Sequence, residues 1–187
     1  KVWETYIASQ SETMIGNLTF LKNQTQAHLH VDLIVGLPGE SLKSFGEGFN
    51  QLLALGPHEI QIGILKRLRG TPIIRHDQAF RMVYDQEAPY EVLATSDVSF
   101  SELQRMKRFA RYWDLIANSG RFKRTMKSLC HDQPDPFEEF MKFSDWLSAA
   151  SGQRHGIALT KLVQHVFHYL TGASVSQPHE KTAQELW

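Results

Sequence analysis

In the stretch Asp32-Leu33-Ile34-Val35-Gly36-Leu37-Pro38-Gly39-Glu40, residue types and spacing suggest a ligand. A short apolar, β-branched run that ends on two glycines leaves bare backbone at the end of a strand. In parallel sheets and barrels, ligands gather at that end. Gly36 and Gly39 would let a ligand approach the main chain, and the free N–H groups of the next helix favour negative charge. The same glycines serve equally well to make a tight turn. A second stretch, Leu65-Lys66-Arg67-Leu68-Arg69-Gly70-Thr71-Pro72, sets three cations within four positions. They could meet a carboxylate or phosphate, or stand as a solvated loop.

The most basic segment is Arg105-Met106-Lys107-Arg108-Phe109-Ala110-Arg111, followed by Arg121, Lys123, Arg124 and Lys127. With Phe109, Tyr112 and Trp113 interleaved, it could hold an RNA backbone and stack bases. The apolar positions also fall at helical spacing, which suits a core face with a charged outer side. Of the 9 histidines, His28 and His30 are two apart in a strand-like run, and His165 and His168 are neighbours on a helix. Neither pair has a third ligand at zinc spacing. Cys130 is the single cysteine, with no His or basic partner that sequence can assign as its activator, and is expected to be structural.

Composition narrows the classes. The chain has 187 residues, room for one domain or two small ones. Lys+Arg and Asp+Glu both number 20, so nothing in the net charge points to nucleic acid or an anionic membrane. One cysteine allows neither an internal disulfide nor an all-cysteine metal site, and a reducing, cytoplasmic setting is expected. No apolar run approaches the roughly 20 residues of a membrane span. The opening Lys1-Val2-Trp3-Glu4 has no initiator Met and no signal-like apolar run, and reads as the interior of a longer gene product.

These residues must be positioned by an α/β piece followed by helices. Met14, Leu18 and Leu21 mark a first helix. Residues 29–35 and 59–65 read as strands, joined by a helix that Ser41 caps and Gly56-Pro57 stops. Two strands joined by one helix over so short a span imply a parallel pair with a right-handed crossover. Residues 81–84 and 90–94 suggest a small hairpin. Ser99 and Glu102 form a capping-box pattern ahead of a helix with Leu103, Met106, Ala110 and Trp113 on one face. Phe122, Met126 and Leu129 suggest a short helix, and Asp135-Pro136 opens another whose inner face carries Phe137, Phe140, Met141, Ser144 and Leu147. A last helix holds Leu159, Leu162, Val163, Val166, Phe167 and Leu170, and the tail from Ser174 to Glu185 is expected to fray. The fold expected is α/β, a βαβ piece of a partial (β/α) barrel over residues 1–76, then a mainly helical domain over 77–187.

The blocks His28 to Glu40, Phe45, Phe49 and Gln61 to Pro72, in this order, resemble the last portion of a radical S-adenosylmethionine (SAM) core. In particular they resemble bacterial proteins with a cobalamin-binding domain ahead of the barrel. Ala88 to Leu93 and Trp113 to Phe122 resemble the uncharacterised domain that follows the barrel there. The resemblance runs from roughly Asn17 to Leu170. It implies a partial barrel binding SAM and a [4Fe–4S] cluster, with cobalamin as a further cofactor, and oxidoreductase-like radical chemistry on a small-molecule or unknown substrate. The cluster motif CxxxCxxC belongs to the early barrel and is absent here, so this chain is not expected to hold the cluster. The family's fifth-strand pattern, Gly-x-Ile-x-Gly-x-x-Glu, matches at Ile34 and Gly36. Asp32 stands at its first glycine and Glu40 falls one place late. The resemblance thus implies that Ile34, Gly36 and, from the sixth strand, Leu65 border the SAM adenine.

The function expected is therefore the C-terminal part of a radical SAM enzyme, partnered by the upstream barrel and cobalamin domain of the same gene product. Alone, its open sheet edge invites self-association. The alternative is a helical RNA- or protein-binding module without catalysis. A Rossmann-type methyltransferase fits less well, because no Gly-rich loop follows a first strand.

Overall fold

The computed structural model describes residues 2–152 and 156–172, with residues 2–12 by backbone alone. The expected fraying of residues 174–185 lies outside the described residues. The element order is α1 (Val2–Gln24), β1 (His30–Val35), α2 (Leu42–Leu55), β2 (Glu59–Ile64), a 3-10 turn (Pro72–His76), β3 (Val83–Tyr84), β4 (Val92–Ala94), α3 (Phe100–Trp113), α4 (Lys123–Met126), α5 (Pro136–Ser151) and α6 (Leu159–Thr171). This is the mixed α/β architecture expected, with a mainly helical C-terminal region.

β1 and β2 pair in parallel, from His30 opposite Glu59 to Val35 opposite Ile64. α2 is the crossover. Ser41 caps it, accepting from the Ser44 N–H, while the Ser44 side chain closes the reciprocal half of a capping box. Gly56 ends it in the left-handed region at φ 62°, and Lys22 of α1 donates to the Leu55 carbonyl at 2.6 Å. Both contacts satisfy carbonyl and N–H groups that a helix end leaves unpaired. β3 and β4 form the small antiparallel hairpin.

Ser99 and Glu102 form the anticipated capping box on α3. Two π-helical turns, Asp114–Asn118 after α3 and Lys127–His131 after α4, were not legible beforehand. Phe122, Met126 and Leu129 are all buried. Asp135 accepts from the Glu138 N–H and Pro136 fills the first turn of α5.

One aromatic cluster joins the early and late parts. The Phe49 ring of α2 lies 4.8 Å from Trp113, 5.5 Å from Phe109 and 5.7 Å from Phe137. Such pairs are worth about 0.5–1.5 kcal/mol each beyond area burial. Gly46 makes room for this packing, since a β-carbon there would come within 2.6 Å of Phe137. The core is continuous from Val35 and Phe45 through Leu103 and Phe140 to Val166. α6 departs from its sequence pattern: Leu162 and Val166 face the core, whereas Leu159, Val163, Phe167 and Leu170 are exposed.

Candidate functional site

Strand alternation divides the β1–β2 pair into two faces. Val31, Leu33 and Val35, with Ile60, Ile62 and Ile64, pack against the core. His30, Asp32 and Ile34, with Glu59, Gln61 and Gly63, form the other face. Val35 is 1% exposed and its neighbour Ile34 is 44% exposed. Gly63 lies opposite Ile34 in the register, and a β-carbon on it would meet nothing nearer than the Leu33 carbonyl at 3.9 Å. The result is a flat apolar step in mid-sheet, with the Ile34 side chain beside bare backbone. Ile34 and Leu65 both line an open cleft of about 630 Å³, with Lys66, Leu68, Glu91 and Lys107 on its other sides. Leu65 is itself buried.

The two edges of the pair differ. β2 is met at both ends of its outer edge by the later chain. The Asn118 amide donates to the Ile60 carbonyl at 3.0 Å and accepts from the Ile60 N–H at 3.3 Å. At the other end the Val92 N–H donates to the Leu65 carbonyl and the Arg67 N–H to the Tyr90 carbonyl. β1 has no strand on its outer edge among the described residues.

At the N-terminal end of the strands, His30 is bracketed by acceptors. Its Nδ1 lies 3.1 Å from Glu59 Oε2, and its Nε2 lies 3.1 Å from Asp32 Oδ1 and from Gln61 Oε1. The hydrogen bond with Glu59, then that with Asp32, holds the imidazole above its ordinary pKa. His28 lies outside the strand and stacks on His58 at 4.5 Å, while the Leu29 N–H donates to His58 Nδ1. Among the described residues no group of three His, Cys, Asp or Glu side chains is arranged to hold a metal.

The C-terminal end carries the turn and the cations. Gly36 adopts φ 89° and packs onto Val92 and Leu103 of the later chain. Glu40 is largely buried, with one carboxylate oxygen unpartnered, and burial pushes its pKa up to about 7. Beyond β2, a cleft of about 590 Å³ opens between residues 67–74 and the hairpin, lined by Arg67, Leu68, Arg69, Ile74, Tyr84 and Tyr90 among others. Arg67 is held by Asp77 at 3.2 Å and lies over the Tyr84 ring at 5.4 Å. Tyr84 and Tyr90 were missed in sequence. Their only local signal is that they flank the Asp85 to Pro89 turn, and the pairing that brings them to β2 is long-range.

The first cations of the basic segment are tied into the fold, whereas Arg121, Lys123, Arg124 and Lys127 are exposed. Arg105 and Arg108 both reach Asp145, at 2.7 and 3.3 Å, and Lys107 reaches Glu91 at 2.6 Å. Phe109, Tyr112 and Trp113, the rings that would have stacked bases, are buried in the core. Cys130 is buried too, its thiol donating to the Pro136 carbonyl, and burial pushes its pKa up to about 12. His165 and His168 each keep a buried Nδ1 without a partner, and His165 packs on Trp146. No helix among the described residues is long and apolar enough to cross a membrane.

A family model described as "Protein of unknown function (DUF4080)" matches residues 78–186. No curated protein matches the chain.

Proposed function

The chain belongs to the DUF4080 family of proteins of unknown function, and we propose that it is the C-terminal part of a radical SAM protein. The observation that carries this reading is the half-covered parallel pair. Parallel strands are almost always buried on both faces and flanked by further strands. Here one face of β1–β2 stands open, with Ile34 exposed beside Gly63, and the outer edge of β1 is unpaired among the described residues. The outer edge of β2 is meanwhile met by Asn118 and residues 90–92. That asymmetry suits β2 as the last strand of a partial barrel whose earlier strands add to β1.

The residues fit the proposed ligands unequally. Cys130 does not suit an iron–sulfur cluster, because its thiol is buried, protonated and engaged with Pro136. The reading therefore puts cluster and cobalamin ligands in upstream sequence, and no step through either belongs to these residues. The open face does suit SAM. Ile34, next to the bare Gly63, offers a platform for the adenine, and Leu65 lines the same cleft. Gly36 would act at one remove, by setting the turn that ends β1. SAM in such proteins supplies the radical that takes hydrogen from a substrate. This chain would bind and orient it in the cytoplasm.

Calorimetric titration of SAM into the polypeptide that joins this chain to its upstream sequence tests the proposal. Apolar contact with the base contributes about 25 cal/mol per Å² buried. Ile34→Asp should weaken SAM binding by about 1–3 kcal/mol while the protein stays folded. A folded Ile34→Asp protein that binds SAM normally would remove the assignment.

A further inference from the structure

We propose that the cleft between residues 67–74 and the β3–β4 hairpin binds a small molecule that joins a carboxylate or phosphate to an apolar body. The inference goes beyond SAM binding at the sheet face and does not require it. It gives the hairpin of this family a role, as one wall of a ligand site.

The cleft has the volume of a small-molecule pocket, about 590 Å³. It opens beyond the C-terminal end of β2, where α/β folds present ligands. Its two arginines are in different states. Arg67 is fixed by Asp77 and by the Tyr84 ring, so its charge is largely answered and its guanidinium serves as wall. Arg69 lines the same cleft, is exposed, and has no carboxylate partner among the described residues. The acidic lining residue is Asp85, which accepts from the Glu87 N–H at 3.0 Å and makes no ion pair with Arg69. An unanswered guanidinium in a partly enclosed site selects carboxylate or phosphate, which can accept two parallel N–H bonds.

The apolar half of the ligand is read from the walls. Leu68 and Ile74 are exposed large aliphatic residues and both line the cleft with the Tyr90 ring. Isolated exposed aliphatic residues need no explanation. Leu68 and Ile74 converging with Tyr90 on Arg69 make a surface that an anion alone would leave wet. The wall is also built firmly. Residues 90–92 are stitched to 65–67 by backbone hydrogen bonds, and the Tyr90 N–H donates to the Glu87 carbonyl at 2.8 Å.

Isothermal titration of phenyl phosphate and of 3-phenylpropanoate into the 187-residue chain tests this. At least one probe should bind saturably. Arg69→Gln should weaken it about tenfold, Ile74→Ser about three- to tenfold, and Arg124→Gln, outside the cleft, should leave it unchanged. Thermal melts confirm folding of these surface variants. Binding of the phosphate probe alone identifies a phosphoester ligand, and of the carboxylate probe alone a carboxylic acid. Absence of binding at millimolar concentration overturns the proposal, as does equal binding by Arg69→Gln. Arg69-dependent binding that Ile74→Ser leaves untouched overturns its apolar half.

Discussion

Gly36 and Val92 are packed so closely that a β-carbon on the glycine would lie 2.6 Å from the valine Cγ1. The strand-ending turn of the βαβ unit is thereby fitted to the first residue of β4, more than fifty positions later in the chain. Gly36 also sits at φ 89°, where a side chain is strained in any surroundings. Glycine is thus required twice over. Gly36→Ala should cost about 2–5 kcal/mol, summing the backbone strain and the overpacking. Combining it with Val92→Ala relieves the clash but not the strain, so the double variant should be less unstable than the two single losses added. Urea denaturation of the three variants measures this. Strict additivity would mean that the two residues do not meet.

Asn118 offers a second test of how the two parts are joined. Its side-chain amide pairs with both backbone groups of Ile60, as a neighbouring strand would. The π-helical turn Asp114–Asn118 ends on this residue. Asn118→Ala would leave a partly buried donor and acceptor unpaired, at about 1–3 kcal/mol. Hydrogen exchange at the Ile60 amide should accelerate in that variant well before global unfolding. An unchanged exchange rate would show that the edge of β2 is held by other contacts.

Local chemistry explains what was legible in the sequence. α2 was readable because Phe45, Phe49 and Leu52 recur at helical spacing between a serine cap and a Gly-Pro stop. α3 was readable from its capping box, but its buried side is wider than one stripe. Phe109 and Tyr112 are buried along with Leu103 and Met106, because α5 and β2 both pack against this helix. α6 fails in the opposite sense, since its apolar positions outnumber the core contacts available to it among the described residues. The π-helical turns left no trace, because a one-residue shift in hydrogen bonding uses the same residue types as an ordinary helix.

The candidate site divides along the same line. Ile34 and Val35 fell on opposite faces by simple alternation, and the structure separates them as that rule requires. Gly36 was read as a turn or a place for ligand approach. Its contact with Val92 depends on a long-range pairing that no local pattern encodes. The cations at 66–69 were noted without their partners. Asp77 and the Tyr84 ring reach Arg67 only when the chain beyond residue 70 folds back on the end of β2.

Glu40 sets a pH dependence whose sign can be worked out. Burial raises its pKa from an ordinary 4.5 to about 7, with one oxygen unpartnered. Below pH 4.5 folded and unfolded chains both hold the proton, and the carboxyl imposes no penalty. As pH rises toward 7, the unfolded chain releases its proton while the folded chain keeps it, so stability falls across that window. Above it the folded carboxyl is ionised too, and the penalty stays constant. Glu40→Gln keeps the shape of the protonated acid and removes the titration. It should match the parent protein near pH 4 and exceed it at pH 8. The gain should be about 1–2 kcal/mol, allowing for the part of the side chain that water still reaches. Urea unfolding of both proteins at pH 4, 6 and 8 provides the comparison. Curves that stay parallel across the three pH values would mean that Glu40 ionises freely in the folded protein, and that its buried oxygen finds a partner.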